Sequence, residues 1–234
     1  MAVANTDRKG AIGATPRFGR LLLRLSFSLG ALNVVWAFSK PASAEEPAAS
    51  VLVYNHAHVA SSILAAAERE AGEILGAAGV RIVWVECPMA STPGSAAKRC
   101  LGTLKSTDIM LRVLAQPAKH RLKADVFGFA INPILASVYY DYALRLAVED
   151  EYGEFDARII LGCIIAHELG HLLLGSNSHS SAGIMRSPWG QKQLQQALVG
   201  TLLFTADEAK VIQAQVRART RPQRTGRSRA SPPD

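Results

Sequence analysis

Apolar side chains recur along this chain at two spacings, and the spacing separates strands from helices. Residues 51–55 form a short β-branched run bounded by polar positions, the pattern of a first strand. Across 61–78, Ile63, Leu64, Ala67, Ala71, Ile74, Leu75 and Ala78 repeat at helical spacing and stop at Gly79, which predicts a helix. Strand patterns return at 80–86 (V-R-I-V-W-V-E) and 108–114, and two more candidates, 126–131 and 137–142, flank Asn132-Pro133. Asp156 is placed to cap a helix whose apolar run spans 159–174 and ends at Gly175. The chain then turns irregular through 176–190. A last helix begins at Thr205, where Thr205 and Glu208 fit the reciprocal S/T-x-x-E cap. There are no internal repeats.

The two ends of the chain read differently from its middle. Residues 1–20 carry Arg8, Lys9, Arg17 and Arg20 against one acid, an apolar stretch follows at 21–38, and Ala42-Ser43-Ala44 supplies the small residues of a cleavage site. That is the pattern of a signal peptide over 1–44, and it predicts an exported, extracytoplasmic protein with no stable membrane insertion after removal. The alternative is a membrane anchor through 21–38, which Arg24, Ser26, Ser28 and Asn33 interrupt. The remaining 190 residues suffice for one domain, expected over 45–216, and the Arg, Pro and Ser-rich segment 217–234 has too little apolar content to pack.

Charge changes the picture once these ends are set aside. Leader and tail each hold six bases and one acid, so of the net charge of +7 the middle keeps −3. A mildly acidic body gives no reason to expect nucleic-acid binding. Export puts the cysteines where disulfides persist. Cys87 and Cys100 flank a polar loop with Pro93, Gly94 and Ser95 and form the expected pair, while Cys163 lies in the apolar helix as a buried thiol.

The chemistry concentrates in that helix, in Ala166-His167-Glu168-Leu169-Gly170-His171, an H-E-x-x-H pattern. Residues four apart stand about one turn apart on one helix face, so His167 and His171 can share a tetrahedral zinc ion. Glu168 then sits beside the metal as general base toward a zinc-bound water. Within 159–178 these three are the only ionisable groups besides Cys163. Buried ionisable groups are costly unless satisfied, and one cation satisfies all three. A third ligand is needed, and His179 follows the helix end after Gly175 and Ser176-Asn177-Ser178. His56 and His58 alternate along a strand but have no carboxylate near them in sequence, and His120 stands among Lys119, Arg121 and Lys123; all three read as surface histidines.

These residues resemble the metzincin clan of zinc peptidases, whose H-E-x-x-H-x-x-G-x-x-H motif is followed by a tight turn carrying a methionine. Here His167, Glu168, His171, Gly175 and His179 are followed by Ser181-Ala182-Gly183-Ile184-Met185, with one extra residue before the glycine and one more before the third histidine. No tyrosine follows Met185. The resemblance implies an α+β fold: a zincin-like mixed β-sheet with a backing helix, an active-site helix, a Met-turn at Met185 and a C-terminal helix. It implies a secreted zinc-dependent endopeptidase acting on peptide or protein substrates, with an edge strand that pairs with the substrate, for which 137–142 is the candidate. Two other readings stay open: a gluzincin-type site in which Asp207 or Glu208 is the third ligand, and a non-catalytic secreted protein whose zinc only supports the fold. Substrate preference and oligomeric state are not legible.

Overall fold

In a computed structural model of the chain, residues 46–88, 95–116, 126–131, 133–148 and 156–221 are described. The expected leader, His120 and the chain beyond 221 lie outside them. Five strands form one mixed sheet: β1 (Ala48–Asn55), β2 (Arg81–Cys87), β3 (Asp108–Leu114), β4 (Gly128–Ile131) and β5 (Leu135–Tyr139), in the order β2-β1-β3-β5-β4. β1 runs parallel to β2 and β3, β3 runs parallel to β5, and β4 alone is antiparallel, paired with β5 through Phe129 opposite Ser137. The parallel neighbours β1 and β2 need a crossover, which α1 (Ser61–Ala77) supplies.

One face of this sheet makes the core. Val51, Val53, Ile109, Leu111, Val113, Ala136 and Val138 are buried in a single cluster with Leu64, Ala67, Ala71 and Leu75 of α1. The same cluster contains Ile160, Leu161, Ile164, Ile165, Leu169, Leu172 and Leu173 of α4 (Ala157–Leu174). Every residue of α4 from Ile160 to Leu173 is buried. A helix apolar on all sides needs neighbours on all sides, and α4 has them in α1, α3 (Tyr140–Val148), α6 (Ala206–Thr220) and the sheet. By length and composition α4 is also apolar enough to cross a membrane, but here it is the centre of the core.

The ends of α4 follow from side-chain chemistry. The Asp156 carboxylate accepts from the Arg158 backbone N–H at 2.8 Å, and Gly175 closes the helix in the left-handed conformation at φ 68°. The cap of α6 also forms, with Thr205 N–H donating to Glu208 Oε2 at 2.8 Å and Glu208 N–H to Thr205 Oγ1 at 3.3 Å. α6 continues to Thr220, so the basic segment read from 217 onward begins inside the helix. Its Arg219 explains the extension: the guanidinium donates to Leu172 O at 2.9 Å and Pro133 O at 3.3 Å, tying α6 to α4 and to the β4–β5 turn.

Three further differences from the sequence reading have local causes. The strand expected over 137–142 ends at Tyr139, and α3 begins at Tyr140, burying Tyr142 and Ala143. β5 is interior, with Ala136, Ser137, Val138 and Tyr139 all buried, so the free edge on that side is β4 and not 137–142. Two short helices went unread. α2 (Ser95–Leu101) follows the polar loop and is held to the end of β2 by the Cys87–Cys100 disulfide. α5 (Gln191–Leu198) buries Gln193, Leu194 and Ala197 on one face of a mostly polar sequence. Cys163 is the buried free thiol, its titration pushed well up by burial.

Among the described residues, one buried carboxyl oxygen has no hydrogen-bond partner. Glu68 of α1 is buried, its Oε1 lacks a hydrogen-bond partner among the described residues, and its carboxyl is raised to about 7 by burial and then by Glu86. The native state therefore holds this proton after the unfolded chain has lost it. By linkage, stability is unaffected by this group below its ordinary value of 4.5 and falls as pH rises from there toward 7. Glu68→Gln is expected to change little at pH 4 and to stabilise by on the order of 1–2 kcal/mol at pH 8, read as a pH-dependent shift in denaturant midpoint. Equal effects at both pH values would rule the titration out.

Candidate metal centre

Three histidines from one helix and the loop after it converge. The metal-ligating nitrogens of His167, His171 and His179 all lie within 4.8 Å of one another, a cluster able to hold a metal ion. His167 and His171 are one turn apart on α4 and buried, while His179 is exposed and is brought over them by the reversal at Gly175. Its ring centroid stands 5.3 Å from that of His167 and 5.1 Å from that of His171.

The hydrogen bonds decide which nitrogens face the centre. His167 Nδ1 lies 2.7 Å from Ile184 O, and His171 Nδ1 lies 2.9 Å from Ser176 O. A carbonyl only accepts, so each Nδ1 carries the proton and each Nε2 keeps a bare lone pair. The two Nε2 atoms are 3.2 Å apart. Burial pushes His167 down to about 3 against the opposing bond to Ile184, with His171 and His179 lowering it further, and burial likewise lowers His171. Both rings are therefore neutral near pH 7, with two lone pairs aimed at each other and no proton between them. Neutral imidazole with Nδ1–H fixed by a carbonyl is the form that binds a metal cation.

The supports of this cluster come from the loop at 180–190. Ser180 N–H donates to Met185 O at 2.9 Å and Ile184 N–H to Leu203 O at 2.9 Å, closing a turn beneath α4 and pinning it from below. Met185 is fully buried against Gly170, which lies between the two helical histidines. A Cβ at Gly170 would meet Met185 Sδ at 2.6 Å and the Phe204 ring at 2.7 Å, so only glycine lets the turn approach this closely. Phe127 meets the His167 ring edge-on at 5.1 Å, and Trp189 does so at 5.9 Å. Trp189 also donates its indole N–H to Ile184 O, the carbonyl that fixes His167. Sequence spacing singles out neither aromatic, because their contact with His167 joins segments far apart in the chain.

Glu168 shares a cleft of about 340 Å³ with His167, His171, His179, Asn177, Ser187 and residues 126–130 of the β4 edge. Its side chain is almost fully buried, and burial pushes its carboxyl up to about 8. The strand approaches it closely: a Cβ at Gly128 would meet Ser137 O at 2.0 Å and Glu168 Cγ at 3.1 Å. Tyr139, just below, is raised by burial and by the nearness of Glu168.

The other candidate ligands stand elsewhere. Glu208 is occupied by Thr205 and by the Ser180 hydroxyl, and Asp207 is exposed in an ion pair with Lys210. Neither belongs to the histidine cluster. His56 and His58 are exposed and in no metal-competent group among the described residues.

No protein-family model matches this chain, and no curated protein matches it. Among solved structures it is similar to a zinc-dependent peptidase from Methanocorpusculum labreanum (strain Z), at 13% sequence identity and TM-score 0.46, over 70% of this chain and 99% of that one. A likeness of that size leaves the case to the residues themselves.

Two outcomes test this geometry. His179→Ala is expected to empty the site in metal analysis, whereas Glu208→Ala keeps the metal and loses about 1 kcal/mol of helix cap; the reverse result would make the carboxylate the ligand. Gly170→Ala is expected to destabilise by about 1–3 kcal/mol through overpacking against Met185 and to weaken metal binding in parallel, read by melting temperature and competitive chelation.

Proposed function

We propose that the chain is an exported zinc-dependent endopeptidase of metzincin type, with His167, His171 and His179 as metal ligands and Glu168 as general acid and base. The observation that carries this reading is the pair of deprotonated Nε2 atoms 3.2 Å apart beside a buried carboxyl, opening on a strand-edged cleft. The donor set fits: three imidazole ligands would leave a tetrahedral zinc one open position, which distinguishes a catalytic site from a closed structural one. No cysteine follows the motif to close it.

A zinc ion held there supplies Lewis acidity to a scissile carbonyl and makes a nearby water more acidic. The remaining steps belong to the protein. Glu168 takes a proton from the attacking water on its carboxylate and returns it to the departing amine. Its burial raises its proton affinity toward the working pH, and a cation beside it favours the ionised form needed to begin. Phe127 and Trp189 keep His167 dry and its ring fixed. The β4 edge offers backbone groups to an extended peptide, which side chains from Val126 to Ala130 would then sort. The turn carrying Met185 serves as the Met-turn, an apolar floor that gives the metal no ligand.

Export is supported by the Cys87–Cys100 bridge, which persists in oxidising compartments, together with the leader pattern at 1–44. The gluzincin alternative loses ground because Glu208 and Asp207 are committed elsewhere.

Glu168→Gln is expected to keep zinc at full stoichiometry and to lower turnover of a mixed peptide library by about 10²–10⁴-fold. Activity equal to the parent would remove Glu168 from the mechanism, and no activity in the zinc-loaded parent would remove the peptidase reading itself.

A further inference from the structure

A second concavity lies along the same loop as the metal centre. It measures about 230 Å³ and is lined by Arg186, Lys192, Gln193 and Gln196, with Ser181 to Gly183 on its remaining side. No carboxylate lines it, and among the described residues neither Arg186 nor Lys192 forms an ion pair. Arg186 donates through Nη1 to Ser181 O at 3.1 Å, which holds its guanidinium at the rim.

Gln193 makes the lining directional. Its side chain is 93% buried, and its Oε1 accepts from Gly190 N–H at 3.1 Å. That bond fixes which end of the amide faces which way. The Nε2 donor is left without a partner among the described residues, in a side chain that lines the concavity. Three side chains thus bring donors to one small volume, two of them charged, while the acceptor of the third is already used.

We infer that this concavity is an oxyanion-binding site, taking a carboxylate or a phosphate through Arg186, Lys192 and Gln193 Nε2. Charged donors lining one concavity bind oxyanions more strongly than neutral donors do. The site is separate from the metal centre but tied to it in sequence, since Ser187, next to Arg186, lines the metal cleft. The ligand therefore has two sources: a free inorganic anion, or an acidic side chain of a peptide lying across the loop. Anion binding does not depend on the peptidase reading, whereas the second source does.

The test is a titration of the ¹⁵N-labelled full-length chain with inorganic phosphate, with neutral 1,10-phenanthroline present so that no metal contributes. Saturable shifts at the amides around Arg186 and Lys192 are expected, with Lys192→Glu weakening the affinity by about tenfold or more. Arg186→Gln should weaken it as well, and Lys192, whose side chain makes no hydrogen bond or ion pair among the described residues, keeps the test valid if that variant fails to fold. Non-saturating shifts, or Lys192→Glu titrating like the parent, would overturn the proposal. A second arm adds a short peptide with two glutamates, or the same peptide with glutamines, to the phosphate-bound protein. Displacement by the glutamate peptide alone assigns the site to substrate carboxylates, and phosphate binding without displacement assigns it to a free anion.

Discussion

The arrangement on which everything else depends is two buried imidazoles that present unprotonated nitrogens to each other. Nothing about a helix requires this. It follows because Ile184 O and Ser176 O, both from the chain after α4, accept from the Nδ1–H groups and turn the Nε2 atoms inward to 3.2 Å. Both rings are buried among the elements packed around α4, so the charged form of either is disfavoured. Burial and two backbone carbonyls thus prepare lone pairs of the kind that metal-binding histidines offer a cation.

The fold serves that preparation by holding α4 from all sides while leaving one end of it open. Gly170 lets the turn at Met185 press against the helix between the histidines, and Leu203 O pins that turn from below. Above, the antiparallel β4 lies so close to β5 that a Cβ at Gly128 would meet Ser137 O at 2.0 Å, with Glu168 Cγ next at 3.1 Å. The carboxyl is therefore confined between a strand edge and a metal-competent cluster. Stability and site chemistry share these contacts, so substitutions at Gly170 or Gly128 should not separate the two cleanly.

Much of this was legible in the chain itself, for identifiable reasons. The H-E-x-x-H spacing, the Asp156 cap, the Gly175 reversal and the Thr205–Glu208 box are local rules, each decided within a few residues, and each formed as read. The Cys87–Cys100 pair formed across its loop as well. The failures were of another kind. Residues 137–142 carried strand-like side chains, but whether a strand is an edge depends on which neighbour it pairs with, and β5 pairs on both sides. The turn into α3 at Tyr140 is decided by burial of Tyr142 and Ala143 on the core, not by propensity. Phe127 and Trp189 are brought to His167 from distant segments, a contact no spacing encodes. α5 is short and polar, and its one buried face was too brief to register.

Zinc K-edge X-ray absorption on the purified, zinc-loaded chain tests the central claim most directly. The account expects one zinc per chain, with a first shell of nitrogen and oxygen only and outer-shell scattering from three imidazoles. A chain that takes up no zinc, a sulfur neighbour, or a shell with fewer than two imidazoles would contradict it.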